Sequence, residues 1–239
     1  MTVRLLLTRP EPEAERTAAH LRAHGHEVVV APLLRIELLA DAEIGAGPWA
    51  AILVTSANAA AAAAAHPRFA ALRSLPVFAV GARSAAAMRE AGFADVTSAD
   101  GDVRDLVRLA TERVEAGAAL LYLAGAELSG DLAGSLAAHG FAVRTSVVYR
   151  AIKVGALPDN AAAVLASGID GVLHFSRRGA EAYVGAVRAA GLSAAALAQP
   201  AHFCLSAQVA EPLTDAGVAD IRIAPQPTEA SLIALIPAA

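Results

Sequence analysis

The sequence predicts an α/β protein built of two doubly wound parallel-sheet domains. Three observations lead there. Short apolar runs alternate with segments of helical spacing along the chain. The order of elements in the first half returns in the second. Two Pro-bearing stretches break the pattern at matching points. Continuous apolar runs suit strands buried on both faces, and such strands form parallel sheets covered by helices. The expected strand order is flavodoxin-like.

The duplication is readable residue by residue. Leu5-Leu6-Leu7-Thr8 opens a segment running through Gly25 to Val28-Val29-Val30, and Leu120-Leu121-Tyr122-Leu123 opens another running through Gly140 to Val147-Val148. Val77-Phe78-Ala79-Val80-Gly81 is echoed by His202-Phe203-Cys204-Leu205-Ser206, and Glu90-Ala91-Gly92-Phe93 by Asp215-Ala216-Gly217-Val218. The copies lie roughly 115 to 125 residues apart, a domain's length. Two similar domains create a cleft, where a ligand is expected.

Each element has its own signal. Leu5 to Leu7 is a strand, and Glu13 to His24 is a helix with Ala14, Ala18 and Leu21 on one face. Gly25 stops it as a C′ glycine. Val28 to Val30 and Ala51 to Val54 are strands. A polyalanine helix ends near His66-Pro67; alanine is the best helix former and requires no function. Val77 to Val80 is a strand, a helix runs from about Ser84 to Gly92, and Asp95-Val96 is a short strand. Asp102 caps a helix to Ala116.

The second half reads as strand Ala119–Leu123, helix Gly130–His139 and strand Val143–Tyr149. Strand Gly171–Phe175, helix Ala180–Ala190 and strand Phe203–Leu205 follow. Helix Val209–Ala216, strand Asp220–Ile223 and helix Glu229–Ile236 complete it. The two breaks are Pro32 to Pro48 and Tyr149 to Asn160. Both begin with alternation, Leu34 to Leu38 and Tyr149 to Val154, so they are expected to be a pair of bridging strands.

The totals exclude several classes. The hydrophobic fraction of 56% is inflated by alanine, and charged residues or His interrupt every long apolar run. Met1-Thr2-Val3-Arg4-Leu5 leads into a strand, and the expectation is a cytoplasmic protein. The single Cys204 forms no internal disulfide or thiolate metal site, and it reads as core. A racemase on paired domains needs a cysteine in each half, but Ala79 matches Cys204. A net charge of −4 argues against a nucleic-acid partner. The seven His are scattered without ligand spacing, so no metal is expected. No G-x-x-x-x-G-K-[ST], G-x-G-x-x-G after the first strand, or G-x-S-x-G is present. No apolar stripe or heptad calls for a partner, and a monomer is expected.

Open parallel sheets bind ligands outside the carboxyl ends of their strands, where helix N-termini offer free N–H groups. The loops expected there are Thr8-Arg9-Pro10, Thr55-Ser56-Ala57-Asn58, Gly81-Ala82-Arg83-Ser84, 124–130, Ser176-Arg177-Arg178, Ser206-Ala207-Gln208 and Pro225 to Glu229. They carry hydroxyls, amides, glycines and arginines, with few carboxylates (Glu127 and Glu229) and no His. That lining suits an anion. Each residue also fits a plainer role. Ser56, Asn58, Ser84, Ser176, Ser206 and Thr228 suit helix caps. Arg9, Arg83, Arg177 and Arg178 suit solvated charges, and Tyr149 suits half-buried packing.

Over nearly its whole length the chain resembles the uroporphyrinogen-III synthase family. The resemblance rests on Leu7-Thr8-Arg9-Pro10, Val54-Thr55-Ser56-Ala57-Asn58-Ala59, Ala79-Val80-Gly81 with Ser84, Val147-Val148-Tyr149-Arg150, Phe175-Ser176-Arg177 and Pro227-Thr228-Glu229-Ala230. It departs where many members carry Arg-Gly and this chain has Ala124-Gly125, and where Ser84 replaces a frequent Thr.

The resemblance implies a discontinuous domain, residues 1–36 with 150–239, and a second domain, residues 37–149, joined by a two-stranded hinge. It implies a cyclising lyase acting on hydroxymethylbilane, a linear tetrapyrrole with eight carboxylates. Water leaves, a spiro intermediate forms at the last pyrrole, that ring inverts, and uroporphyrinogen III closes. No metal or organic cofactor is implied. Tyr149 would donate a proton to the departing hydroxyl. Arg9 and Arg177 would pair with carboxylates. Ser56, Asn58, Gly81, Ser84, Gly125, Ser176, Ser206 and Thr228 would position the acid side chains. Orientation of so flexible a chain is worth about 7–11 kcal/mol when alignment is good. The alternative reading is a two-lobed cytoplasmic ligand-binding module without catalysis.

Overall fold

The computed structural model describes residues 2–128 and 130–237. Ser129, in the loop expected at 124–130, lies outside the described residues. Cα packing divides the chain into one unit of Met1–Arg35 with Ile152–Ala239 and another of Ile36–Ala151.

The first unit holds a five-stranded parallel sheet of β1 (Arg4–Leu7), β2 (Glu27–Val30), β9 (Gly171–His174), β10 (Ala201–Cys204) and β11 (Ile221–Ile223). Its spatial order is β11-β10-β9-β1-β2. Counted along the chain that is 2-1-3-4-5, the flavodoxin order. Side chains alternate across the sheet. Leu6 and Val172 enter one core layer, while Leu5, Leu7 and Leu173 enter the other. The first layer is covered by α7 (Asp159–Ser167), α8 (Arg177–Ala189), α9 (Ala194–Ala198) and α10 (Ala207–Asp215). The second is covered by α1 (Glu13–Ala23) and α11 (Glu229–Ile233). Gly25, at φ +85°, turns the chain out of α1 in the left-handed region that glycine adopts without a Cβ penalty.

The second unit contains β4 (Ala51–Val54), β5 (Val77–Ala79), β6 (Val96–Ser98), β7 (Ala119–Gly125) and β8 (Ala142–Lys153), with β3 (Leu34–Leu38) at one edge. The order is β3-β8-β7-β4-β5-β6. Its helices are α2 (Asn58–Ala65), α3 (Phe69–Leu72) and α4 (Ala82–Glu90) on one face, with α5 (Val103–Arg113) and α6 (Leu132–Ala137) on the other. The polyalanine of α2 does more than favour helix. Ala59, Ala60, Ala62 and Ala63 are buried in the core, where small side chains let the helix lie close to the sheet.

The sequence repeat now has a spatial meaning. It matches β1 with β7, β2 with β8 and β5 with β10. Both sheets therefore have one spatial arrangement, which the chain enters at a different strand in each. The bridging strands are β3 and β8. Leu39 N donates to Val148 O at 2.8 Å and Val154 N to Leu33 O at 2.9 Å, so they run in opposite directions. Arg150 on β8 also pairs with Glu37 on β3.

Five features differ from the sequence reading. Counted along the chain, the second unit's parallel strands β4 to β8 run 3-2-1-4-5, not in the flavodoxin order, because the chain enters the shared arrangement at a different strand. β8 runs unbroken through Tyr149 to Lys153: its pairing to β7 ends at Tyr149, and its pairing to β3 carries the strand on. Helices α3, α7 and α9 were not expected. α3 and α9 are only 4 and 5 residues long, too short for periodicity to register. α7 starts directly after Pro158, and only its first two residues, Asp159 and Asn160, fall within the bridging stretch.

Candidate active site

The loops following β4, β5 and β7 form the carboxyl edge of the second unit's sheet. Ser56 follows β4, and its Oγ accepts the Asn58 N–H at 3.2 Å. Asn58 is the first residue of α2. Thr55 Oγ1 and the Tyr122 hydroxyl are 2.8 Å apart. Gly81 precedes α4, which no side chain caps, and a Cβ on it would meet nothing within 4 Å. Ser84 lies buried in the first turn of α4.

Tyr149 stands level with the end of β7. Gly125 is its register partner, and its carbonyl accepts the Ala126 N–H at 3.0 Å. Its side chain is half-buried, and Ser56 is a polar neighbour of its phenol. Burial raises the phenol above its ordinary value; Ser56 opposes this and nearby Tyr122 adds to it. Tyr149 therefore keeps its proton at neutral pH.

The carboxyl edge of the first unit is organised around one acid. Glu229 Oε1 accepts the Thr17 hydroxyl at 2.6 Å, and its Oε2 lies 3.3 Å from Arg9 and 2.8 Å from Arg16. Arg9 also donates to Thr17 Oγ1 at 3.1 Å and stacks 4.0 Å over the Phe175 ring. The Arg9 side chain is 14% exposed, so the solvated reading does not describe it. Burial lowers the Arg9 value, and Glu229 partly restores it. Burial pushes the Glu229 carboxyl up, but the Thr17 bond and the charges of Arg9 and Arg16 outweigh it and the net movement is down.

The remaining expected residues divide by role. Ser176 caps α8 through the Gly179 N–H at 3.0 Å, and Thr228 caps α11 through the Ser231 N–H at 3.2 Å. Ser206 precedes α10 without making a side-chain cap. Arg177 is exposed and paired with Glu181 and Glu211. Sequence reasoning grouped Ser56, Asn58, Gly81, Ser84, Gly125 and Tyr149 with loops that the structure does place on one edge. Arg9, Ser176, Arg177, Ser206 and Thr228 belong to the other unit's edge. It missed Tyr122, Thr17 and the role of Glu229 as an internal counter-ion. An acid in a loop otherwise rich in donors was the available signal.

It also missed a buried polar cluster in the first unit. His174 Nε2 and His202 Nδ1 are 3.0 Å apart, and His202 Nε2 donates to Leu197 O at 2.8 Å. That donation leaves His202 Nδ1 as the acceptor, so His174 Nε2 carries a proton and its Nδ1 is bare. Among the described residues, His174 Nδ1 and the Tyr183 hydroxyl are buried without a hydrogen-bond partner. Burial drives His174 well below its ordinary value, with His202 adding to it, and lowers His202 too. Cys204 is buried nearby, its thiol pushed up to about 12, and is core as expected.

The family model described as "Uroporphyrinogen-III synthase HemD" matches residues 15–234. No curated protein sequence matches. A uroporphyrinogen-III synthetase from Helicobacter pylori 26695 superposes with a TM-score of 0.66 at 16% identity, covering 98% of each chain. A mutant uroporphyrinogen III synthase from Thermus thermophilus superposes with a TM-score of 0.52 at 20% identity, covering 98% of this chain and 96% of that one. At these identities the structures show a shared fold, while the family model reaches across most of the sequence and does not favour the binding-module alternative.

Proposed function

The chain belongs to the uroporphyrinogen-III synthase family, cyclising lyases of haem biosynthesis, and from that premise we propose how its own residues carry the reaction. The substrate is hydroxymethylbilane. Its terminal hydroxyl leaves as water, the last pyrrole inverts through a spiro intermediate, and the ring closes as uroporphyrinogen III. The linear chain is already reactive, so the protein's task is to bias geometry.

Tyr149 donates a proton toward the departing hydroxyl. One observation carries this assignment: a half-buried phenol, kept protonated, beside Ser56 at the carboxyl edge of its sheet. A phenol raised above its ordinary value is a weak acid. Electron release from the pyrrole does most of the expulsion, and Tyr149 contributes about 10²-fold. Carboxylates of the substrate are received by hydroxyls, amides and first-turn N–H groups at Ser56, Asn58, Gly81 and Ser84. Ser176, Ser206 and Thr228 offer the same chemistry at the other unit's edge. Arg9 and Arg177 add positive charge, Arg9 only where a substrate carboxylate competes with Glu229. The enzyme acts in the cytoplasm as a monomer.

The test is the isomer ratio from synthetic hydroxymethylbilane. The protein should give the type III isomer, and Tyr149→Phe should lower kcat about 10- to 100-fold with KM little changed. A ratio equal to that in buffer would end the assignment of activity. Unchanged turnover in Tyr149→Phe would end the role of the phenol.

A further inference from the structure

We infer that Gly125 is a positioning residue for Tyr149, kept without a side chain so that the phenol lies against the end of β7. The inference rests on the role assigned to Tyr149 and concerns what aims that group. Along β7 and β8, Ala124 pairs with Val147 but Gly125 pairs with Tyr149. One residue of β8, Val148, is therefore extra, and a bulge of this kind re-aims the side chain that follows it. The Ala126 N–H bond to the Tyr149 carbonyl fixes the backbone on the far side.

Gly125 is the residue the ring rests on. A Cβ built there would stand 2.7 Å from Cε2 and Cζ of Tyr149 and 2.8 Å from its hydroxyl oxygen. Non-bonded carbons sit at about 3.5–4.0 Å, so these contacts are forbidden. Gly125 is not among the positive-φ glycines, so freedom of the backbone is not what the position demands. It demands space. The backbone on both sides is held by the sheet, so an added methyl group moves the tip of the ring. That movement displaces the phenol from its place at the end of β7. The expected role for Gly125 was direct contact with substrate; the geometry gives it an indirect one.

The two roles separate in kinetics. In the full-length protein, Gly125→Ala should lower kcat at least tenfold and leave KM within about twofold. Combined with Tyr149→Phe it should add little to the loss, since neighbours acting through one group are not additive. In a spectrophotometric titration of the three tyrosines, the component assigned by difference from Tyr149→Phe should shift in Gly125→Ala, because the ring leaves its present surroundings, and an unmoved component would overturn the inference. A raised KM with kcat intact would show that the glycine faces substrate and overturn the inference, as would full additivity with Tyr149→Phe.

Thermal unfolding gives a readout independent of activity. Gly125→Ala should lower Tm in the wild-type background and not in Tyr149→Ala, where the ring is gone. Equal losses in both backgrounds overturn the inference. If Gly125→Ala alone does not fold, restoration by Tyr149→Ala supports the contact and its failure refutes it. If Tyr149→Phe leaves turnover unchanged, the role of the phenol falls while the titration and the stability cycle still decide what Gly125 does.

Discussion

Glu229 is the residue on which the charge balance of the first unit's edge turns. A buried guanidinium without a counter-ion is costly, and Glu229 serves both Arg9 and Arg16. Its folded-state value lies below the unfolded one, so its contribution is present above about pH 4.5 and is lost as pH falls through the lower folded value. Glu229→Gln should cost about 1 kcal/mol at pH 7, modest because the group is partly exposed. The difference from wild type, followed by denaturant unfolding, should narrow progressively as pH falls below about 4.5. The same variant tests Arg9. If substrate carboxylates compete with Glu229, removing that competitor lowers KM; an unchanged KM would mean that Arg9 only braces Thr17 and Phe175. The sequence placed Arg9 at a sheet edge but could not show its partner, which lies 220 residues away.

Helix starts show how one residue type serves two purposes. Asp102 caps α5 with a full capping box, accepting from the Arg104 and Asp105 N–H groups while Asp105 accepts from Asp102. Gly81 and Ser206, at matching places in the two copies, start α4 and α10 without a side-chain cap. Asp102→Ala should therefore cost about 1 kcal/mol of stability and leave kcat/KM alone. Ser206→Ala should cost little stability and raise KM, read by thermal unfolding and steady-state kinetics on the same samples. Composition could not separate these cases, because a cap and a ligand contact call for the same hydroxyl. Strands β9 and β10 carry the other element-scale feature. His174 and His202 are neutral in the fold, with values below the unfolded 6.5. Below about pH 6.5 the unfolded chain binds protons that the fold refuses. Stability should fall by up to about 1.4 kcal/mol per pH unit for each histidine. His174→Phe should flatten that slope between pH 6.5 and 5 in urea unfolding.

At the scale of the molecule, each unit has its own sheet and a core on both faces of it. The second unit is continuous in the chain, so a fragment of residues 34–151, which keeps β3, should fold cooperatively by circular dichroism. A fragment that stays unstructured would mean that the second unit depends on the first. Much of this architecture was legible. The strands announced themselves as apolar runs, the long helices as periodic ones, and the duplication as a repeat of both. Short helices escaped because 4 or 5 residues hold no period.

The sequence by itself determined the α/β class, the duplication, the two bridging strands and the set of donors at the loop positions. These are local properties: period, propensity and spacing are written in neighbouring residues. Only the tertiary structure decided that both copies share one spatial strand order, that Arg9 is already held by Glu229, and that the Tyr149 ring lies where a Gly125 side chain would be. Those facts depend on which distant residues become neighbours. Packing sets that, and single-residue preferences do not encode it.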